Sequence, residues 1–195
     1  MLTKRVLDVF KKYKGTLPIK VAQQYGIDHE TLRKAYLRGD IERPVRGIYL
    51  LKEAMLDDLF ATQSIVSRGI YSHQTAVMLF NYSTYVPHYH YMTFPQGYNN
   101  SSLGQKKIKA KFANSETYLL GITSEKTWEG NLITVYDRER TVLDALGDPT
   151  YPEYELEEII ENYKQDNRKN SNNLTKYAEE MNVEYLLTRI LTTDN

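Results

Sequence analysis

Apolar positions in the first forty residues recur at helical spacing, interrupted by glycines. Residues 3–13, TKRVLDVFKKY, set Val6, Leu7, Val9, Phe10 and Tyr13 along one broad face, the pattern of an amphipathic helix. Gly15 ends it. Pro18 suits the first turn of a second helix, IKVAQQY, which Gly26 stops. Asp28 is a good N-cap for a third, HETLRKAYL, closed by Gly39. The next stretch, IERPVRGIYLL, reads as two short strands around a turn with Pro44 and Gly47.

Further along, 54–66 and 72–80 read as helices, the second with Ser72 as its cap. Alternation then predicts strands at 88–94, 107–112 and across 121–137, with Glu129-Gly130-Asn131 as a hairpin turn. Residues 138–146 return to helical spacing. From 153 the chain is helical in three pieces, EYELEEIIENYKQ, NNLTKYAEEM and VEYLLTRIL, with a polar loop DNRKNSN after the first. The expected class is α+β: an N-terminal winged helix-turn-helix over 1–52, then a larger mixed α/β domain over 53–195 that ends in helices. A helix, a helix-turn-helix pair and a hairpin in that order describe the first part.

Charge sharpens this picture. The chain has 195 residues, 25 basic and 25 acidic, for a net charge of zero. Residues 1–53 hold 12 basic and 6 acidic side chains, and 54–195 hold 13 and 19. The basic excess therefore falls on the expected winged helix, and the balancing acid lies mainly after Asp137. With no cysteine, disulfide frameworks, zinc ribbons and cysteine nucleophiles are excluded. No apolar run approaches the roughly 18–20 residues of a membrane span, and Met1–Lys14 lacks a signal-peptide core. A soluble cytoplasmic protein without membrane association is expected.

Helix 28–38 turns His29, Arg33 and Lys34 away from its Leu32/Ala35/Tyr36 side, and Arg38, Arg43 and Arg46 flank the helix end and the wing. Those six residues are the candidate DNA-binding set, since phosphate contacts position such a helix in the major groove. The competing reading is a solvated face, and Glu30 and Lys34 have the i, i+4 spacing of a surface pair. No catalytic, metal or cofactor site is expected. The glycines at 97 and 104 lack phosphate-loop spacing. His73, His88 and His90 lack a carboxylate to complete a metal site. No Glu-x-Lys or Asp-x-Lys of a metal-dependent nuclease occurs. The lysines 106, 107, 109 and 111 read as a protected edge strand or as a second nucleic-acid contact.

Four stretches in order resemble the AbiEi family, antitoxins of bacterial type IV AbiE toxin–antitoxin (abortive infection) systems. They are Gly26-Ile27, Thr31-Leu32 and Gly39 with the wing Arg46-Gly47-Ile48-Tyr49; Gly69-Ile70-Tyr71-Ser72-His73-Gln74-Thr75-Ala76; Thr93, Pro95, Gly97 and Tyr98; and Val135-Tyr136-Asp137-Arg138-Glu139-Arg140-Thr141-Val142. The C-terminal Leu174, Tyr177 and Ala178 fit the usual ending, and the likeness spans nearly the whole chain. Gln74 departs from the family's usual Glu, so a chemical role of that Glu would not carry over.

The resemblance implies a phage-defence antitoxin that is also a transcriptional repressor of its own operon. It would bind double-stranded promoter DNA with inverted repeats as a monomer that pairs on DNA. Its C-terminal domain would counter an AbiEii-like nucleotidyltransferase toxin without a stable complex. His73, Asp137, Arg138 and Arg140 are expected to be structural. The alternatives are a nuclease or nucleotide-modifying enzyme using the C-terminal domain, and a winged helix used as a protein-binding module.

Overall fold

A computed structural model describes residues 1–101 and 103–191. The chain has a mixed α+β fold that divides into two compact units, one of 1–67 with 125–133, the other of 68–124 with 134–195.

In the first unit, α1 (Lys4–Lys12), capped by Thr3, buries Val6, Val9 and Phe10. β1 (Thr16–Pro18) follows, a strand that the hydrophobic pattern does not announce. Pro18 is its last residue and stands at the N-cap position of α2 (Ile19–Gln24) without a side-chain cap, one position before the expected first turn. The turn from α2 to α3 (His29–Leu37) runs through Gly26 at φ +67, a left-handed conformation that glycine adopts without steric penalty. Asp28 caps α3 by accepting from the Thr31 N–H at 2.6 Å. β2 (Ile41–Val45) and β3 (Ile48–Leu51) form the hairpin, and β1 adds to β3, so the antiparallel sheet runs β1-β3-β2. The core joins the helices to this sheet through Phe10, Leu17, Leu32, Ile41 and Tyr49.

The unit does not stop near residue 52. α4 (Asp58–Ile65) belongs to it, starting later than the expected 54 because Asp57 caps it by accepting from the Phe60 N–H at 3.0 Å. Phe60 stacks on Tyr13, centroids 5.5 Å apart, and the buried Thr16 hydroxyl accepts from the Asp57 N–H at 3.0 Å. The other Asp57 oxygen accepts from Thr127 Oγ1 at 2.6 Å and Asn131 Nδ2 at 2.8 Å. Residues 125–133 are thereby tied into the first unit.

The second unit is built on a sheet of order β6-β5-β4-β8-β7. Its strands are β4 (Ile70–Tyr71), β5 (His90–Pro95), β6 (Ile108–Ala113), β7 (Ile122–Lys126) and β8 (Leu132–Tyr136). The outer ends of β7 and β8 count with the first unit. β4 pairs antiparallel with β5 and parallel with β8, and β5 pairs parallel with β6. Between these strands lie α5 (His73–Leu79) and α6 (Ser115–Leu119), and after them α7 (Arg138–Leu146), α8 (Glu153–Gln165), α9 (Ser171–Glu180) and α10 (Leu187–Leu191). α7 is the central helix, buried along almost its whole length and packed on α5, α8 and α9.

Among the described residues, no helix is long and apolar enough to cross a membrane. None of their His, Asp and Glu side chains form a group of three placed to hold a metal ion. His88 precedes β5, which begins at His90.

Candidate nucleic-acid interface

α3 is held by two buried side chains, Leu32 and Ala35, while its other seven residues are exposed. Tyr36 and Leu37 face solvent as well, with Leu37 64% exposed. The polar residues noticed in the sequence thus share an open helix with apolar ones, and Val45 adds another on β2. Apolar residues outside the buried stripe were the available signal for these three, since helical spacing alone counts Tyr36 toward the core.

The six candidate residues differ in what already engages them. His29 and Lys34 are exposed. Arg33 is gripped by Glu30, Nε to Oε2 at 2.8 Å and Nη2 to Oε1 at 3.2 Å, while Lys34 stands 3.9 Å from the same carboxylate. The main partner of Glu30 is therefore Arg33 at i+3, rather than Lys34 at i+4. The Arg33 hydrogen bond, with its charge behind it, holds the Glu30 carboxyl below its ordinary range. Arg38 is paired to Asp40 at 2.9 Å, beside the amino terminus of Met1. Both pairs lie in water, where such interactions are weak and exchangeable. Arg43 is only partly exposed, with its guanidinium 5.9 Å from the Tyr49 ring centre. Arg46 is exposed at the turn between β2 and β3. α3 and the hairpin turn thus present Lys34, His29 and Arg46 openly, and Arg33 and Arg38 on exposed ion pairs.

In the second unit, several of the remaining sequence-selected residues are held by neighbouring groups. Asp137 caps α7 through the Arg140 N–H at 3.0 Å and accepts from Tyr177 at 2.9 Å. Arg138 donates to Asp166 at 2.8 Å. Arg140 donates to Asp144 at 2.8 Å and to the carbonyls of Thr117 and Leu120. Gly121, at φ +76, lies so close that an added Cβ would stand 2.8 Å from Arg140 Cβ. Ser72 stands at the N-cap position of α5 without capping it; its hydroxyl meets Thr93 and His73 instead. Lys111 is bound to Asp148 at 2.7 Å, and Lys109 lies over the Tyr89 ring at 4.7 Å. Both lysines are on β6, an edge of the sheet.

No protein-family model matches the chain, and no curated protein does. Among solved structures, the crystal structure of the RV2827C protein from Mycobacterium tuberculosis is similar, with a TM-score of 0.57 at 14% identity. The likeness covers 94% of this chain and 75% of that one. It is a likeness of fold.

Proposed function

We propose that the protein is a DNA-binding autorepressor and antitoxin of the AbiEi type, with no enzymatic activity of its own. The first unit acts as a winged helix, with α3 in the major groove and the β2–β3 turn against the backbone. The observation that carries this reading is the exposure of α3, seven of whose nine residues stay outside the core with His29, Arg33 and Lys34 among them. Lys34, Arg38 and Arg46 engage phosphates. Arg33 leaves Glu30 to reach a base edge, because a guanidinium can pair bidentately with guanine. Two monomers occupy the two halves of an inverted repeat. The second unit counters a nucleotidyltransferase-like toxin without forming a stable complex with it, in the cytoplasm.

The test is a gel-shift series on the DNA upstream of the protein's own gene. Roughly 5–7 phosphate contacts per copy would make binding fall steeply with salt, by about 0.9 log units per contact per decade. Arg46→Ala should weaken all sequences alike and reduce that slope, whereas Arg33→Ala should narrow the gap between operator and scrambled DNA. Equal affinity for both DNAs in the wild type would overturn the specific form of the proposal.

A further inference from the structure

Of the arginines on α3 and the hairpin, Arg43 is engaged differently from the rest. Arg33 and Arg38 are exposed and paired with Glu30 and Asp40, and Arg46 is exposed at the turn. Arg43 is only partly exposed, and among the described residues it has no hydrogen-bond or ion-pair partner. Its Nε is closed off from solvent, whereas its two Nη groups, equally unpartnered, are not. Arginine can lay its stem along the protein and keep its head in water. Here the stem is lodged as far as Nε, and the outer end of the guanidinium fork is left open.

Tyr49 supplies the surface on which it rests. The Arg43 guanidinium lies 5.9 Å from the centre of the Tyr49 ring, within cation–π range. Tyr49 is fully buried, in the same core as Leu32 and Ala35 of α3. Glu30 first, and Tyr49 last, raise the Arg33 pKa, so Tyr49 is within electrostatic reach of a cation on α3 as well. The backbone under Arg43 is constrained too. The β2–β3 register shifts between Glu42 and Val45, and Pro44 fixes its own φ and restricts the residue before it. Arg43 therefore projects beside α3 from a stiff stretch of β2, with its ring contact on the core.

We propose that Arg43 is a pre-set phosphate clamp and that Tyr49 is the residue that positions it. The two open Nη groups donate to two oxygens of one backbone phosphate, the bidentate arrangement that suits a planar guanidinium. Arg33 and Arg38 must first leave a carboxylate, and Arg46 must be ordered from an exposed turn. Arg43 needs neither, and a group already held in its binding geometry loses less entropy on contact. This inference rests on DNA binding by the first unit and names a fixed point of that interface.

The experiment is fluorescence-anisotropy titration of the full-length protein on a duplex of its upstream DNA and on a scrambled duplex. Arg43→Lys keeps the charge, so the salt slope should hold, but affinity should fall at least about tenfold, as for loss of a charged hydrogen bond. The loss should be the same on both duplexes, because phosphate contacts carry no sequence information. Arg46→Lys should lose several-fold less than Arg43→Lys. Tyr49→Leu should weaken binding in the wild-type background and cost nothing further in Arg43→Ala, while Tyr49→Phe, which keeps the ring, should restore most of the loss. If Tyr49→Leu does not fold, the comparison of Arg43→Lys with Arg46→Lys decides. With wild-type binding intact, equal losses from those two variants, or additive losses from Tyr49→Leu and Arg43→Ala, would overturn the clamp alone. Wild-type binding to neither duplex would overturn the DNA-binding reading and the clamp with it.

Discussion

Arg33 and Glu30 set the main question at the scale of single residues. Their carboxylate–guanidinium pair is close and doubly bonded, yet both side chains are 48% exposed. Water and salt weaken an exposed pair, so its rupture on meeting DNA opposes binding little. Glu30 also places a negative charge on the face proposed to approach phosphates. Glu30→Gln should therefore tighten DNA binding several-fold at low salt, an effect that shrinks as salt rises. An unchanged gel-shift midpoint would place α3 away from the DNA.

Asp166 is a contrasting case, since its carboxylate is nearly enclosed. Burial pushes its carboxyl up, but the Arg168 backbone N–H, Arg138 and Tyr82 outweigh this and hold it at about 2. An unfolded aspartate titrates near 4. The carboxylate's contribution is complete above that value, declines as pH falls toward 2 and is gone below it. Its magnitude is on the order of 1–2 kcal/mol. Urea melts of Asp166→Asn should show about this loss at neutral pH, with the gap to wild type closing between pH 4 and 2. A constant gap would assign the effect to packing.

At the scale of elements, α3 has a narrow attachment. Leu32 and Ala35 are its buried residues, and Leu32 is fully enclosed among Phe10, Leu17 and Ile41 in the core of the first unit. Leu32→Ala should cost about 2–5 kcal/mol. Because so little else holds the helix, amide exchange in α3 should accelerate more than in β3, and DNA binding should fall with it. Uniform acceleration across the first unit would mean that the helix and sheet open as one.

The same elements separate what is legible in the chain from what is not. α1, α3, α7 and α8 follow from spacing and from local caps such as Asp28 and Asp137, because those signals lie within one turn of the helix. β1 and β4 do not, being three and two residues long and defined by partners far along the chain. The exposed basic residues of α3 are visible as a polar helical face. The ion pair of Lys111 with Asp148 is invisible for the reason that hides β4: its partners stand 37 positions apart and are brought together only by the fold.

At the scale of the whole molecule, the division into units changes the meaning of the charge count. The stretch 1–53 carries an excess of six positive charges, but the compact first unit also takes in Asp57, Asp58, Glu125, Lys126 and Glu129. It then holds 13 basic and 10 acidic side chains, a net of +3. What favours the proposed DNA binding is therefore where the cations stand, on α3 and the hairpin turn, more than the unit's total. The division also decides how the proposed functions can be separated. A cut near residue 53 would remove Thr16 from the Asp57 N–H, Tyr13 from Phe60, and the Tyr13 carbonyl from Asn131, which it meets at 3.2 Å. A fragment of 1–67 keeps α4 but lacks Thr127 and Asn131, leaving one oxygen of the buried Asp57 without its two donors. An unpaired buried carboxylate oxygen is strongly destabilising. Fragment 1–67 should accordingly melt well below the full chain's first unit, and Asp57→Asn in that fragment should recover part of the loss by removing the charge. In the full chain, where the donors are present, Asp57→Asn should instead destabilise. The opposite signs in the two backgrounds, read by thermal melts, are the expected signature of residues 125–133 completing the first unit; equal signs would show that the fragment folds without them.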